Sequence, residues 1–203
     1  IRIDHFRGLE SYWEIPYGDD TAINGRWVKG PGMKLFNAIK ESLGDVNIIV
    51  EDLGFLTREV IDLRKKTGYP GMKVLQFAFD RREESDYLPH NYDKNCVVYT
   101  GTHDNDTVNG WLENADRQDI EYAIKYLRLT EEEGYNWGFI RGAWSSVADI
   151  AIAQMQDFLA LGSEARINIP STIGGNWKWR VKKEDLSDEL ACKIYELTKT
   201  YGR

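Results

Sequence analysis

The sequence predicts an α/β protein built on a parallel sheet. Short apolar runs alternate with segments whose apolar residues recur at helical spacing, and that β-α-β-α order favours parallel strands with right-handed crossovers. The run Val46-Asn47-Ile48-Ile49-Val50 is compact and β-branched, as a strand buried on both faces requires. No Gly-x-Gly-x-x-Gly or P-loop pattern follows any strand, which disfavours a nucleotide-binding sheet.

Five strands are expected. Ile1-Arg2-Ile3 reads as the end of the first, and a loop rich in Gly, Asp, Trp and Tyr follows it. Residues 32–43 place Leu35, Phe36, Ile39 and Leu43 on one helical face, closed by Gly44. Val46–Val50 is the second strand. A helix is predicted over 57–67, with Thr57 as N-cap and Lys65, Lys66 and Gly68 at its end. Met72–Phe79 is the third strand and Cys96–Tyr99 the fourth, with a polar excursion loop over 80–94 between them. Helices are predicted over 116–128 and 136–148. Ile150–Ala153 is the fifth strand, and Leu190, Ile194 and Leu197 share one face of a last helix over 187–201. There is no fixed-period repeat and no linker-like stretch, so residues 1–203 are read as one domain.

Composition narrows the partners. The net charge of −7 disfavours nucleic acid and anionic membrane surfaces, which would repel the chain. No apolar run approaches the roughly 20 residues of a membrane-spanning helix. Two cysteines are too few for a disulfide framework, so a reducing cytoplasm is expected. Several of the 7 Trp lie in polar or glycine-rich surroundings: Trp13, Trp27, Trp111, Trp177 and Trp179. Such rings either stack on sugars or anchor loops.

Three of the predicted strands end in acidic residues: Asp4 after the first, Glu51-Asp52 after the second, and Asp104 after the strand at 96–99. A single acidic residue there is most often the N-cap of the next helix. In a (β/α)-barrel, however, the C-terminal strand ends converge on one mouth, so residues far apart in sequence share a site. Carboxylates gathered there repel one another and are expensive to bury unless they are paired or used. Cleavage of a glycosidic bond uses such a set, with one carboxylic acid to protonate the leaving oxygen and one carboxylate to attack the anomeric carbon. Arg2 falls on the same strand face as Asp4 and could keep it ionised. His103, Asp104 and Asp106 could also suit a metal, but no second convincing histidine is predicted on a neighbouring strand.

At these residues the chain resembles the amylomaltase, or disproportionating-enzyme, family of 4-α-glucanotransferases. Ile1-Arg2-Ile3-Asp4-His5-Phe6-Arg7-Gly8 is similar to its nucleophile motif, and Glu51-Asp52-Leu53-Gly54 to its acid/base motif. Gly101-Thr102-His103-Asp104-Asn105-Asp106-Thr107 is similar to the segment bearing its third carboxylate. Gln156–Gly162, Glu164–Pro170 and Gly175-Asn176-Trp177 also resemble family segments, and the likeness runs to Arg203. The resemblance implies Asp4 as nucleophile, Glu51 as acid and then base, and Asp104 as a transition-state stabiliser that binds sugar hydroxyls. Arg2, His103 and Asn168 would bind substrate.

The implied fold is the C-terminal portion, strands four to eight, of a TIM (β/α)8 barrel, without the N-terminal strands. The implied activity is transfer of an α-1,4-glucan segment to the 4-hydroxyl of another glucan, by retaining double displacement. Loops 9–31 and 80–94 are candidates for covering the site against water. No cofactor and no metal are implied. The partners implied are α-1,4-glucans and the absent N-terminal half of the barrel, without which the chain is expected to be inactive. The location implied is the cytoplasm, or a plastid in a plant. The residues leave two other readings open: a hydrolytic α-glucosidase or amylase-type barrel enzyme, and a non-catalytic glucan-binding module. A metal-dependent phosphoesterase or isomerase is more remote.

Overall fold

The first strand, β1, is Arg2–Ile3, followed by a short helix α1 at Arg7–Glu10. These and the elements below come from a computed structural model of the chain that describes residues 1–54, 56–82 and 85–203. The chain divides into two units, Ile1–Met72 and Lys73–Arg203.

In the first unit, β2 (Ser11–Glu14) and β3 (Arg26–Lys29) form an antiparallel hairpin in register Ser11 to Lys29 and Glu14 to Arg26. This hairpin lies in the stretch expected to be loop. Its two short strands are separated by a long polar excursion, not by a two-residue turn, so the usual hairpin signal is missing. Trp13 and Trp27 pair edge to face across it, 5.4 Å apart. Trp13 also donates its indole N–H to the Ala22 carbonyl and fills the space a side chain at Gly25 would need. It is therefore a loop anchor. The Arg7 guanidinium lies 4.8 Å from the centre of the Trp27 ring.

Helix α2 (Met33–Leu43) ends as predicted at Gly44, whose positive φ of 71° releases the chain from the helix. The next strand, β4, is Ile49–Val50, shorter than the predicted 46–50, and it pairs in parallel with Arg2 and Ile3 of β1. Helix α3 (Arg58–Thr67) stops at Gly68 in the left-handed conformation. Phe6, Phe36, Ile48, Val50, Val60 and Leu63 are the buried core of this unit. Phe36 stacks between Phe6 and Tyr69 at 5.8 and 5.7 Å.

Next come β5 (Gly71–Val74) and then a 3-10 turn over Leu75–Phe79, where a single strand to Phe79 is expected from sequence. A continuous apolar run does not reveal such a turn, since both conformations bury it. Of the predicted excursion loop 80–94, residues 83 and 84 lie outside the described residues. Strand β6 (Cys96–Tyr99) is the middle of a sheet in order β5-β6-β7, and every residue of β6 is buried. A short helix α4 (Val108–Asn114) follows, capped by the Thr107 hydroxyl accepting from the Gly110 amide. Helix α5 (Arg117–Leu127) starts at Asp116, whose carboxylate accepts from the Gln118 amide.

Helix α6 (Tyr135–Trp144) is buried on nearly every side. It approaches its neighbours closely because a Cβ at Gly138 or Gly142 would meet a leucine methyl, of Leu129 or Leu127, within 2.6 Å. Strand β7 (Ile150–Ile152) pairs parallel to β6, Val98 opposite Ala151. A short α7 (Met155–Phe158) and the terminal α8 (Asp188–Thr200) complete the order. Phe79 centres the core of this unit, in ring contact with Trp111, Tyr122, Tyr126 and Phe139. Trp111 thus packs, partly buried, against this core. The β1–β4 and β6–β7 pairs are parallel as the sequence predicts, but the described residues hold seven strands where five are expected, with β2–β3 antiparallel and no α-helix between β5 and β6; the chain is of the α/β class.

Candidate active site

In the first unit, the parallel pairing of β1 with β4 brings Asp4 and Glu51 onto adjacent strand ends. The Glu51 amide donates to the Ile3 carbonyl at 2.8 Å, and the Phe6 amide donates to the Glu51 carbonyl at 2.9 Å. The Glu51 carboxylate accepts from the His5 amide at 2.6 Å through Oε2 and from the Leu53 amide at 2.9 Å through Oε1. His5, immediately after Asp4, has a positive φ of 48°, a conformation that side chains other than glycine rarely adopt. Asp4 itself is exposed, and the Arg2 guanidinium reaches its Oδ1 at 2.6 Å. Arg2, Asp4 and Glu51 are therefore gathered at one strand edge.

The neighbouring Asp52 plays a different part. Its Oδ1 accepts from the Met72 amide at 2.7 Å, and Arg64 Nε lies 3.1 Å from its Oδ2. Both side chains are partly buried, and a Cβ at Gly71 would collide with the carboxylate. Geometry thus separates the two acidic residues of this motif. Asp52 ties β4 to α3 and β5, while Glu51 faces the Asp4 strand end. Asp52→Ala is expected to cost about 1–3 kcal/mol of unfolding free energy, because it removes the acceptor of the Met72 amide. Chemical denaturation checks this.

In the second unit, the turn after β6 follows from its polar residues. Asn105 Oδ1 accepts from both the amide and the hydroxyl of Thr102, and the Asp104 amide donates to the Thr102 hydroxyl. Asp104 emerges from that turn half-exposed. Its Oδ1 accepts from Asn168 Nδ2 at 2.5 Å, and His103 Nε2 lies 3.3 Å from its Oδ2. The predicted residues His103, Asp104 and Asn168 are thereby brought together, although Asn168 comes from a distant loop. Asp106 is held otherwise: Oδ1 accepts from the Thr107 amide and Oδ2 from the Ser163 hydroxyl. Among the described residues no group of three or more His, Cys, Asp or Glu could hold a metal ion.

Three residues here carry contacts that sequence reading did not assign. Trp177, at a positive φ of 62°, stacks its ring 5.0 Å from the His103 imidazole. Arg166 donates to the Asp104 carbonyl at 2.6 Å and to the Asn168 carbonyl at 2.9 Å. Asp157, 1% exposed, accepts from the Thr100 hydroxyl at 2.5 Å and the Val108 amide at 2.7 Å, so one carboxylate fastens both ends of the Asp104 turn. In sequence it is one acid of the Gln156–Gly162 segment, where nothing local assigns these contacts.

Burial raises the Asp157 carboxyl to about 6, against the lowering effect of those two hydrogen bonds. The folded state therefore binds this proton more tightly than the unfolded state does, and stability from it is lost as pH rises from about 4 to about 6. Asp157→Asn, which keeps an acceptor for Val108 and can donate to Thr100, should gain relative stability over that window. The expected gain is about 2–3 kcal/mol between pH 4 and pH 7. Asp157→Ala also removes the carboxyl and should show the same relative gain with pH, but from a baseline about 3 kcal/mol lower at pH 4, since the Thr100 hydroxyl and Val108 amide lose their acceptor. Denaturant midpoints at the two pH values distinguish these outcomes.

The profile of the 4-alpha-glucanotransferase family matches residues 1–186. The chain belongs to this family. A 4-alpha-glucanotransferase of Clostridium butyricum is 62% identical over the whole chain, which covers 42% of that relative. The chloroplastic/amyloplastic 4-alpha-glucanotransferase of Solanum tuberosum is 51% identical over the whole chain, which covers 36% of it. Among solved structures, the amylomaltase of Streptococcus agalactiae in complex with acarbose superposes with a TM-score of 0.93 at 42% identity. All of this chain and 41% of that one are covered. The chain thus spans about two-fifths of the length of these 4-alpha-glucanotransferases. Among the described residues no helix is long and apolar enough to cross a membrane.

Proposed function

We propose that the chain supplies the carboxylates of a 4-α-glucanotransferase working by retaining double displacement. The observation that carries this is the adjacency of Asp4 and Glu51 on paired strand ends, with the His5 amide joining one to the other. Asp4, held by Arg2, attacks the anomeric carbon of an α-1,4-glucan and forms a glycosyl ester as the aglycone oxygen leaves. Glu51 protonates that oxygen. It then takes the proton from the 4-hydroxyl of an incoming glucan, which displaces Asp4 and restores the original anomeric configuration. Asp104 hydrogen-bonds the distorted sugar and stabilises the positive charge of the transition state, with His103 and Asn168 as its partners. These steps need no metal and no cofactor.

The substrate class is α-1,4-glucans, and the acarbose complex of the Streptococcus agalactiae relative supports an oligosaccharide ligand. In the fold so proposed, residues 1–203 provide strands four to eight of a (β/α)8 barrel and act together with the preceding strands. The expected location is the cytoplasm, or a plastid if the source is a plant, as the name of the Solanum tuberosum relative supports.

The test uses a full-length polypeptide carrying this segment, incubated with maltotriose. Transfer redistributes chain lengths, giving glucose and longer glucans, while the number of reducing ends stays constant. Reducing ends that increase in step with glucose would instead identify a hydrolase. An unchanged substrate pool that still binds would identify a glucan-binding module.

A further inference from the structure

We infer that Arg166 is a positioning residue for Asp104, an inference that rests on the reading of Asp104 given above. Its guanidinium does not touch the Asp104 carboxylate. It holds two backbone carbonyls, of Asp104 at 2.6 Å and of Asn168 at 2.9 Å. Those residues belong to two separate irregular segments, the turn after β6 and the stretch after the 3-10 turn Ser163–Ala165. Two further bonds join the same segments: the Asn168 amide to the His103 carbonyl at 3.0 Å, and Asn168 Nδ2 to Asp104 Oδ1 at 2.5 Å. Arg166 thus closes a ring of four hydrogen bonds around the residue that presents the third carboxylate.

The chemistry of arginine suits the task. A planar guanidinium offers divergent N–H donors in fixed directions and stays charged at any working pH. It can satisfy two carbonyls at once and fix the angle between them. Neither segment has strand pairing to the other that would do this instead. With the clamp removed, the Asp104 peptide can rotate, and the carboxylate moves off the direction a transition state requires. Small displacements of a preorganised charge cost rate more than binding. Arg166 accordingly acts on kcat through Asp104, with little effect on substrate affinity.

The experiment is a double-mutant cycle in the full-length polypeptide, with Arg166→Ala, Asp104→Asn and the two combined. Arg166→Ala is expected to lower kcat for maltotriose at least tenfold and to change KM less than threefold, with partial recovery in millimolar guanidinium. In the Asp104→Asn background the same substitution should change kcat less than twofold, because the group it positions is gone. Arg166→Lys, which keeps the charge but loses the fork, should resemble Arg166→Ala and provides the comparison if the alanine variant does not fold. Equal losses in both backgrounds, or a kcat within twofold of the unsubstituted enzyme, would overturn the inference. If Asp104→Asn itself left transfer unchanged, the role given to Asp104 would fall, and the positioning role with it.

Discussion

Asp4→Asn, in a full-length polypeptide carrying this segment, is expected to reduce glucan transfer by at least about 10,000-fold, because an amide cannot form the glycosyl ester. The fold should hardly notice. The Asp4 side chain is exposed, its recorded partner is the Arg2 guanidinium, and asparagine of the same shape packs against nothing new. The unfolding free energy should change by less than about 0.5 kcal/mol. Loss of rate without loss of stability separates a chemical role from a structural one. Initial rates on maltotriose together with a denaturation curve measure both. A fall of under 100-fold would mean that another residue attacks the sugar.

Glu51→Gln should lower transfer from maltotriose by about 1,000-fold, the range expected for losing a general acid. This substitution is less innocent than the first. Both oxygens of Glu51 accept backbone amides, from His5 and Leu53. The glutamine NH2 must therefore face one N–H, at a cost of about 1–3 kcal/mol. A donor with a good leaving group distinguishes the chemistry from that cost. Maltosyl fluoride releases fluoride without protonation, so its first step should fall by less than tenfold in the variant. If fluoride release falls as steeply as transfer does, Glu51 is holding the strand end and is not acting as the acid.

The strand ends were legible because three properties coincide there. A β-branched or apolar run stops, an acidic residue follows, and the surrounding motif leaves few other uses for it, as at Asp4, Glu51 and Asp104. Helices α2 and α3 were legible from apolar spacing and their terminal glycines, Gly44 and Gly68. The β2–β3 hairpin was not, since a long polar excursion hides the register that pairs Trp13 with Trp27. Nor was the turn at Leu75–Phe79, where every conformation buries the same residues.

The supporting side chains were the least readable. Asp157 acts on the Thr100 hydroxyl and the Val108 amide, and Arg166 on the Asp104 carbonyl, each about fifty or sixty positions away, so no local spacing reveals them. Asn168 was predicted as a substrate-binding residue, and the structure adds its bond to Asp104 Oδ1. The Trp-rich loops divide by what each ring touches. Trp13 holds its own hairpin, Trp111 packs against the core, and Trp177 lies on His103.

The central claim is that Asp4 carries the sugar, and trapping tests it most directly. The Glu51→Gln enzyme, given maltosyl fluoride, should complete the first displacement and stall before the second, which needs the missing base. Digestion and mass spectrometry should then find one maltosyl unit on the peptide containing Asp4, and its absence from Asp4→Asn, Glu51→Gln enzyme. A maltosyl group on a peptide that lacks Asp4, or fluoride release with no covalent adduct at all, would contradict the account.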